Sequence, residues 1–160
     1  MNKFERMKET SRDLVWMAKN YAISLHRPFL DKFPFVAEID LEQWDFCITI
    51  ACVYVAVTML DNEDIPATEK EEIRNILNAS LTKKYPDGVG AVNEITEFMN
   101  RMVSGPVDIG SHNALGTWVV WNFYRRKELG DDELRLVRAL GRAILLTFGG
   151  CWKLDFSISA

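Results

Sequence analysis

The chain has 160 residues, 48% of them hydrophobic and 26% charged, with a formal net charge of −4. That length suits one domain able to bury most of its apolar surface without disulfides or metal, and the composition excludes a disordered chain. The mild negative charge excludes the broad basic footprint by which a protein holds nucleic acid or an anionic membrane.

Phe4, Met7, Ser11, Leu14, Ala18, Tyr21 and Leu25 recur at steps of three and four. This spacing predicts a first helix over about residues 2–26, with Pro28 ending it and His26 at the negative end of its dipole. The run LVWMA at 14–18 widens the apolar stripe, so this stretch is expected to be covered on more than one side. In FPFVAEI (33–39), Phe33, Phe35, Ala37 and Ile39 alternate in part, which suits a short edge strand despite Pro34.

Residues 46–60, FCITIACVYVAVTML, carry no charge. As a helix they cover about 22 Å, short of the roughly 30 Å hydrocarbon slab of a bilayer. The flanks are acidic (Asp45, Asp61, Glu63, Asp64), where a membrane anchor shows Lys or Arg. The sequence therefore predicts a central helix over about 40–60, apolar all round because other helices cover every face. Asp40 is placed to cap it, Gln43 to complete a capping box, and Ile39 with Trp44 to form a hydrophobic staple. Its β-branched residues also suit a strand, but a breaker-free segment of this length favours a helix.

Thr68 and Glu71 form another capping-box pattern, opening a helix that reaches about Lys84 before Pro86. The next starts near Asp87 and carries Val92, Ile95, Phe98, Met99, Met102 and Val103 on one face, up to Gly105-Pro106. A fifth helix is expected from about Ser111 to Leu129 with Gly130 as its stop, and a sixth, capped by Asp131 or Asp132, up to Gly149-Gly150. In CWKLDFSISA, Trp152, Leu154, Phe156 and Ile158 alternate with polar residues, the period of an extended segment with one apolar face. No linker or repeat divides the chain. The expected architecture is all-α: one domain over 1–160, about six helices around a buried central helix, and an extended C-terminal tail.

The chemistry is sparse. Cys47, Cys52 and Cys151 form no CxxC, and an odd count without a secretory leader suits the cytoplasm. In DNEDIPATEKEE (61–72), Asp61 and Glu72 hold the first and last positions of a calcium loop, but Ile65 and Pro66 stand where an oxygen ligand and the turn Gly belong. The two histidines, His26 and His112, lie in neither HExxH nor ExxH, so a di-iron carboxylate site has no support. Gly88-Val89-Gly90 lacks the strand and third Gly of a dinucleotide loop. Gly110-Ser111-His112-Asn113 suits either an anion-holding helix start or an ordinary cap. No catalytic residue, metal or cofactor is predicted.

Three groups remain as candidates. Trp118, Trp121 and Tyr124 stripe the fifth helix as core or as the lining of a pocket for a small apolar ligand, with His112 as a polar end. Arg135, Arg138 and Arg142, at i, i+3 and i+7, form a basic stripe suited to an acidic partner protein or a phosphate-bearing ligand. Trp152, Leu154 and Phe156 on the tail offer an apolar face to their own chain or to a second subunit. The function expected is a non-catalytic module acting through protein contacts, as a homodimer or with another protein. The alternative is a binder of, or enzyme acting on, a small apolar ligand. Truncation after Gly150 is expected to lower the melting temperature or to change the mass found by light scattering.

Overall fold

The computed structural model describes residues 2–105, 107, 109–125 and 128–150. Asp40 opens the central helix by accepting the backbone N–H groups of Glu42 (2.7 Å) and Gln43 (3.4 Å). The described residues form six α-helices: α1 Lys3–Lys32, α2 Leu41–Asp61, α3 Ala67–Lys84, α4 Gly88–Met102, α5 His112–Tyr124 and α6 Asp131–Arg142. They include no strand, and their contacts make one all-α bundle, as the periodicity predicts.

α2 is the hub. It is buried without a break from Cys47 to Ala56, against α1, α4 and α5. It is long and apolar enough to cross a membrane, yet 67% of its most apolar window is buried inside the protein, which is compatible with a water-soluble bundle. Trp44, near its start, joins three helices. The indole N–H donates to the Ala22 carbonyl of α1 at 2.8 Å, and the ring stacks on Phe123 of α5 with centroids 5.2 Å apart. His26 and Phe29 of α1 meet the same indole edge-on, at 5.3 and 5.9 Å. A large aromatic with a satisfied N–H suits this position, because a buried donor without a partner costs about 1–3 kcal/mol.

Several expected boundaries move. α1 continues through Pro28 to Lys32. An interior Pro costs a helix about 3 kcal/mol, but the turn beyond it buries Phe33 and stacks Phe29 on it at 6.0 Å. Burying one such ring is worth about 1.5–3 kcal/mol, so the added turn offsets the break. Residues Pro34–Glu38 form a 3₁₀ turn instead of an edge strand, burying Val36 and not the alternating set. At 14–18, Leu14, Val15 and Ala18 are buried, but Trp16 is 61% exposed, so α1 keeps an open side.

Pro66, not Thr68, is the N-cap of α3. The acids nearby are matched to bases: Arg74 bonds both Asp61 and Glu71, Lys3 pairs with Glu63 at 2.6 Å, and Lys8 with Glu72 at 3.5 Å. Gln43 does not close a capping box on Asp40; its amide reaches across to the Asn122 carbonyl at 3.2 Å. α5 stops at Tyr124, because Arg125 takes the left-handed conformation (φ 53°) and its N–H closes on the Trp121 carbonyl. Gly130 caps α6 instead of ending α5, and the Glu133 carboxylate accepts its N–H at 2.8 Å. α6 passes into a π turn over Ala143–Phe148. The Tyr21 hydroxyl donates to the Ala143 carbonyl there at 2.8 Å. The expected extended tail, residues 151–160, lies outside the described residues.

α5 and α6 touch backbone to backbone. A methyl on Gly116 would run into the Val137 carbonyl, and one on Gly141 into the His112 carbonyl. Only glycine fits where the obstacle is main chain, because no side chain can rotate away. Gly116→Ala and Gly141→Ala are each expected to cost about 3 kcal/mol, lowering Tm by about 10 °C in calorimetry. Gly90→Ala, where a Cβ meets nothing within 4 Å, should leave Tm unchanged or raise it.

Candidate functional site

α4 is strongly amphipathic. Val92, Ile95, Phe98 and Met99 are buried, and Glu94, Glu97 and Arg101 are exposed on the other side at i, i+3 and i+7. α5 runs beside it and is apolar on most faces, burying Leu115, Trp118, Val119, Val120 and Phe123. Between the two helices lies an open groove of about 690 Å³. Phe98, Met102, Trp118 and Trp121 supply its apolar surface, with Phe98 meeting Trp121 edge-to-face at 5.4 Å. Glu94, Glu97, Arg101, Asn122 and Arg125 supply the polar part. The Asn122 amide donates to the Trp118 carbonyl at 2.7 Å, which holds it along the helix.

Arg125 is the non-glycine residue with positive φ among the described residues. The left-handed region costs an L-residue about 1–2 kcal/mol, and strained positions of this kind gather at functional sites. Here the strain ends α5 at the groove and sets a guanidinium in its lining. The same charge opposes the burial that pushes the Cys47 thiol up to about 12.

The predicted aromatic stripe is only partly assembled. Trp118 and Trp121 share the groove, but Tyr124 does not line it. Each three-residue step falls about 60° short of a full turn, so two steps carry Tyr124 about 120° from Trp118. His112 is absent from the lining as well. It opens α5, half-buried, with its carbonyl against Gly141. Ser111 is the N-cap by position, with no capping bond from its side chain. Arg135, Arg138 and Arg142 do converge, on a second cleft of about 350 Å³ closed by Lys32, Phe33 and Ala139. Trp152, Leu154 and Phe156 lie outside the described residues. The sequence reading assigned no role to Glu94, Glu97 and Arg101, although their shared helical face was visible in the spacing. It also missed Lys32 and Phe33, because the predicted stop at Pro28 removed the turn that carries them.

The densest polar cluster lies elsewhere and is fully engaged. The Asp45 carboxylate of α2 accepts from Lys19 of α1 at 2.5 Å, from the Tyr85 hydroxyl at 3.0 and 3.2 Å, and from Thr49 at 3.2 Å. Every group has a partner and none lines a described cleft, so the cluster serves as a clamp between α1, α2 and the α3–α4 junction. Among the described residues, no group of three His, Cys, Asp or Glu side chains could hold a metal ion. Comparison with known protein families, curated proteins and solved structures finds no match.

The clamp and the core set the response to alkali. The hydrogen bond to Asp45 holds the Lys19 pKa above 10.5, burial raises Tyr85 and Tyr54 above 10.0, and burial raises Cys52 well above 9.0. In each case the folded chain keeps a proton that the unfolded chain releases, so stability falls as pH rises through that window. The denaturant midpoint is expected to hold up to about pH 9 and then to decline, in two stages starting near the thiol and phenol ranges. Tyr85→Phe should flatten the second stage while costing about 1 kcal/mol at neutral pH.

Proposed function

We propose that the protein is a non-catalytic, self-associating module of the cytoplasm, and that a second copy of the chain seats on the α4–α5 groove. One observation carries the reading: the charges of the groove are self-complementary. Along α4 the exposed face runs from acid (Glu94, Glu97) to base (Arg101). An antiparallel copy related by a two-fold axis near the middle of that run sets Glu94 of each chain opposite Arg101 of the other. Identical surfaces facing across a two-fold need this kind of antisymmetry. Among the described residues, Glu94, Glu97 and Arg101 form no ion pair within their own chain. Met102, 55% exposed, and Trp121, half-buried, supply apolar contact beside the charges. Large aromatics and methionine are favoured at the centres of such contacts, with charges outside them. The buried Cys47 and Cys52 suit a reducing compartment, where inert thiols persist.

A small apolar ligand is the second reading, supported by the Phe98, Trp118 and Trp121 surface of the same groove. The groove opens to solvent and lacks both Tyr124 and His112, which weakens that reading against the first.

Charge reversal with complementation separates the two. Glu94→Arg alone and Arg101→Glu alone are each expected to shift the dimer toward monomer in analytical ultracentrifugation, because each puts like charges face to face. Mixing the two variants should restore a heterodimer, weakened less than about tenfold. A wild-type chain that stays monomeric at every concentration, with indole fluorescence answering to an apolar probe, would replace this reading with the ligand-binding one.

A further inference from the structure

The cleft between the end of α1 and α6 is independent of the α4–α5 groove. α6 sends Arg135, Arg138 and Arg142 to it from one face, and the last turn of α1 supplies Lys32 and Phe33. Four cations therefore converge on about 350 Å³, and no carboxylate is among the described lining residues. Arg135 is paired with Asp132, outside the lining. Lys32, Arg138 and Arg142 form no ion pair among the described residues, and the Lys32 ammonium lies over the Phe33 ring at 5.5 Å. Like charges gathered in one concavity repel, and a bound anion relieves that repulsion where bulk salt only screens it.

The chemistry of the lining narrows the anion. Three of the four cations are arginines, whose planar forks bond oxyanions through two parallel N–H groups, which lysine cannot do. A phosphomonoester offers three acceptor oxygens and close to two negative charges, enough for more than one fork. The floor is apolar: Phe33 is 5% exposed and Ala139 half-buried. A cleft of this size lies at the small end of small-molecule pockets. Its concavity suits a compact ligand better than the flat acidic face of a protein.

We infer that this cleft binds a phosphomonoester carrying an apolar or aromatic group, with Arg138 and Arg142 on the phosphate and Phe33 beneath the apolar part. The phosphate belongs to a free organic phosphate or to a lipid headgroup, and the two sources share the same contacts.

The full chain, titrated at low ionic strength with phenyl phosphate in a calorimeter, is expected to bind saturably with Kd of about 1 mM or tighter. The doubly substituted Arg138→Gln, Arg142→Gln protein should lose at least about tenfold, and Arg138→Lys, Arg142→Lys an intermediate amount, because charge remains and the forks do not. Lys83→Gln, Lys84→Gln, an equal change of charge at exposed positions of α3, should bind as wild type. Sedimentation with phosphatidylcholine vesicles, with and without phosphatidic acid, identifies the source. Arginine-dependent binding to phosphatidic acid vesicles alone assigns a lipid headgroup, and binding to phenyl phosphate, with or without vesicle binding, a soluble organic phosphate. Silence from both probes overturns the inference. So does equal loss in the lysine control, and so does binding of polyglutamate while phenyl phosphate gives none, which makes the cleft an acidic-protein face.

Discussion

A helix with no polar side has to be enclosed, and α2 imposes that requirement on the rest of the chain. Ten consecutive residues, from Cys47 to Ala56, are withdrawn from water. At about 25 cal/mol per Å² of apolar surface, any face left uncovered forfeits a large part of a net stability of only about 5–15 kcal/mol. α1, α4 and α5 are therefore not free to drift from it. The aromatic junction at Trp44 fixes how α1 and α5 sit, since one indole stacks on Phe123 and donates its N–H to Ala22. The Asp45 clamp, one residue on, ties the opposite side through Lys19 and Tyr85.

What was legible in the sequence follows the same division. Burial patterns are written as periodicity, so the six helices and the enclosed one among them could be read from spacing alone. Ends are written as local chemistry, which tertiary contacts override. Pro28 is a strong stop signal, yet the rings of Phe29 and Phe33 carry the helix past it. Gly130 reads equally well as the end of one helix or the start of another, and only the Glu133 carboxylate on its N–H decides. Arg125 in a left-handed conformation could not have been foreseen, because nothing in its neighbours supplies the usual glycine signal.

The two candidate surfaces differ in the same way. Arg135, Arg138 and Arg142 lie on one helix and were visible as a stripe. Their convergence with Lys32 and Phe33 joins residues about a hundred positions apart and required the fold. The α4–α5 groove likewise pairs half of an expected aromatic stripe with a charged face that single-helix reasoning treats as solvent-exposed and inert. One surface mixes both signs of charge and the other holds one sign, so they select different occupants and need not compete.

The widened turn at Ala143–Phe148 takes up one more residue than an ordinary helical turn. Everything after it is rotated by roughly 100° relative to an uninterrupted helix. That offset lets a single continuous segment carry its arginines outward and then bring Ile144, Leu145 and Phe148 inward. Phe148 there meets Tyr21 with ring centroids 5.6 Å apart. The wide turn thus works as a phase adjuster: a chain one residue shorter at this point would have to choose between seating its closing aromatic and keeping its cations in register.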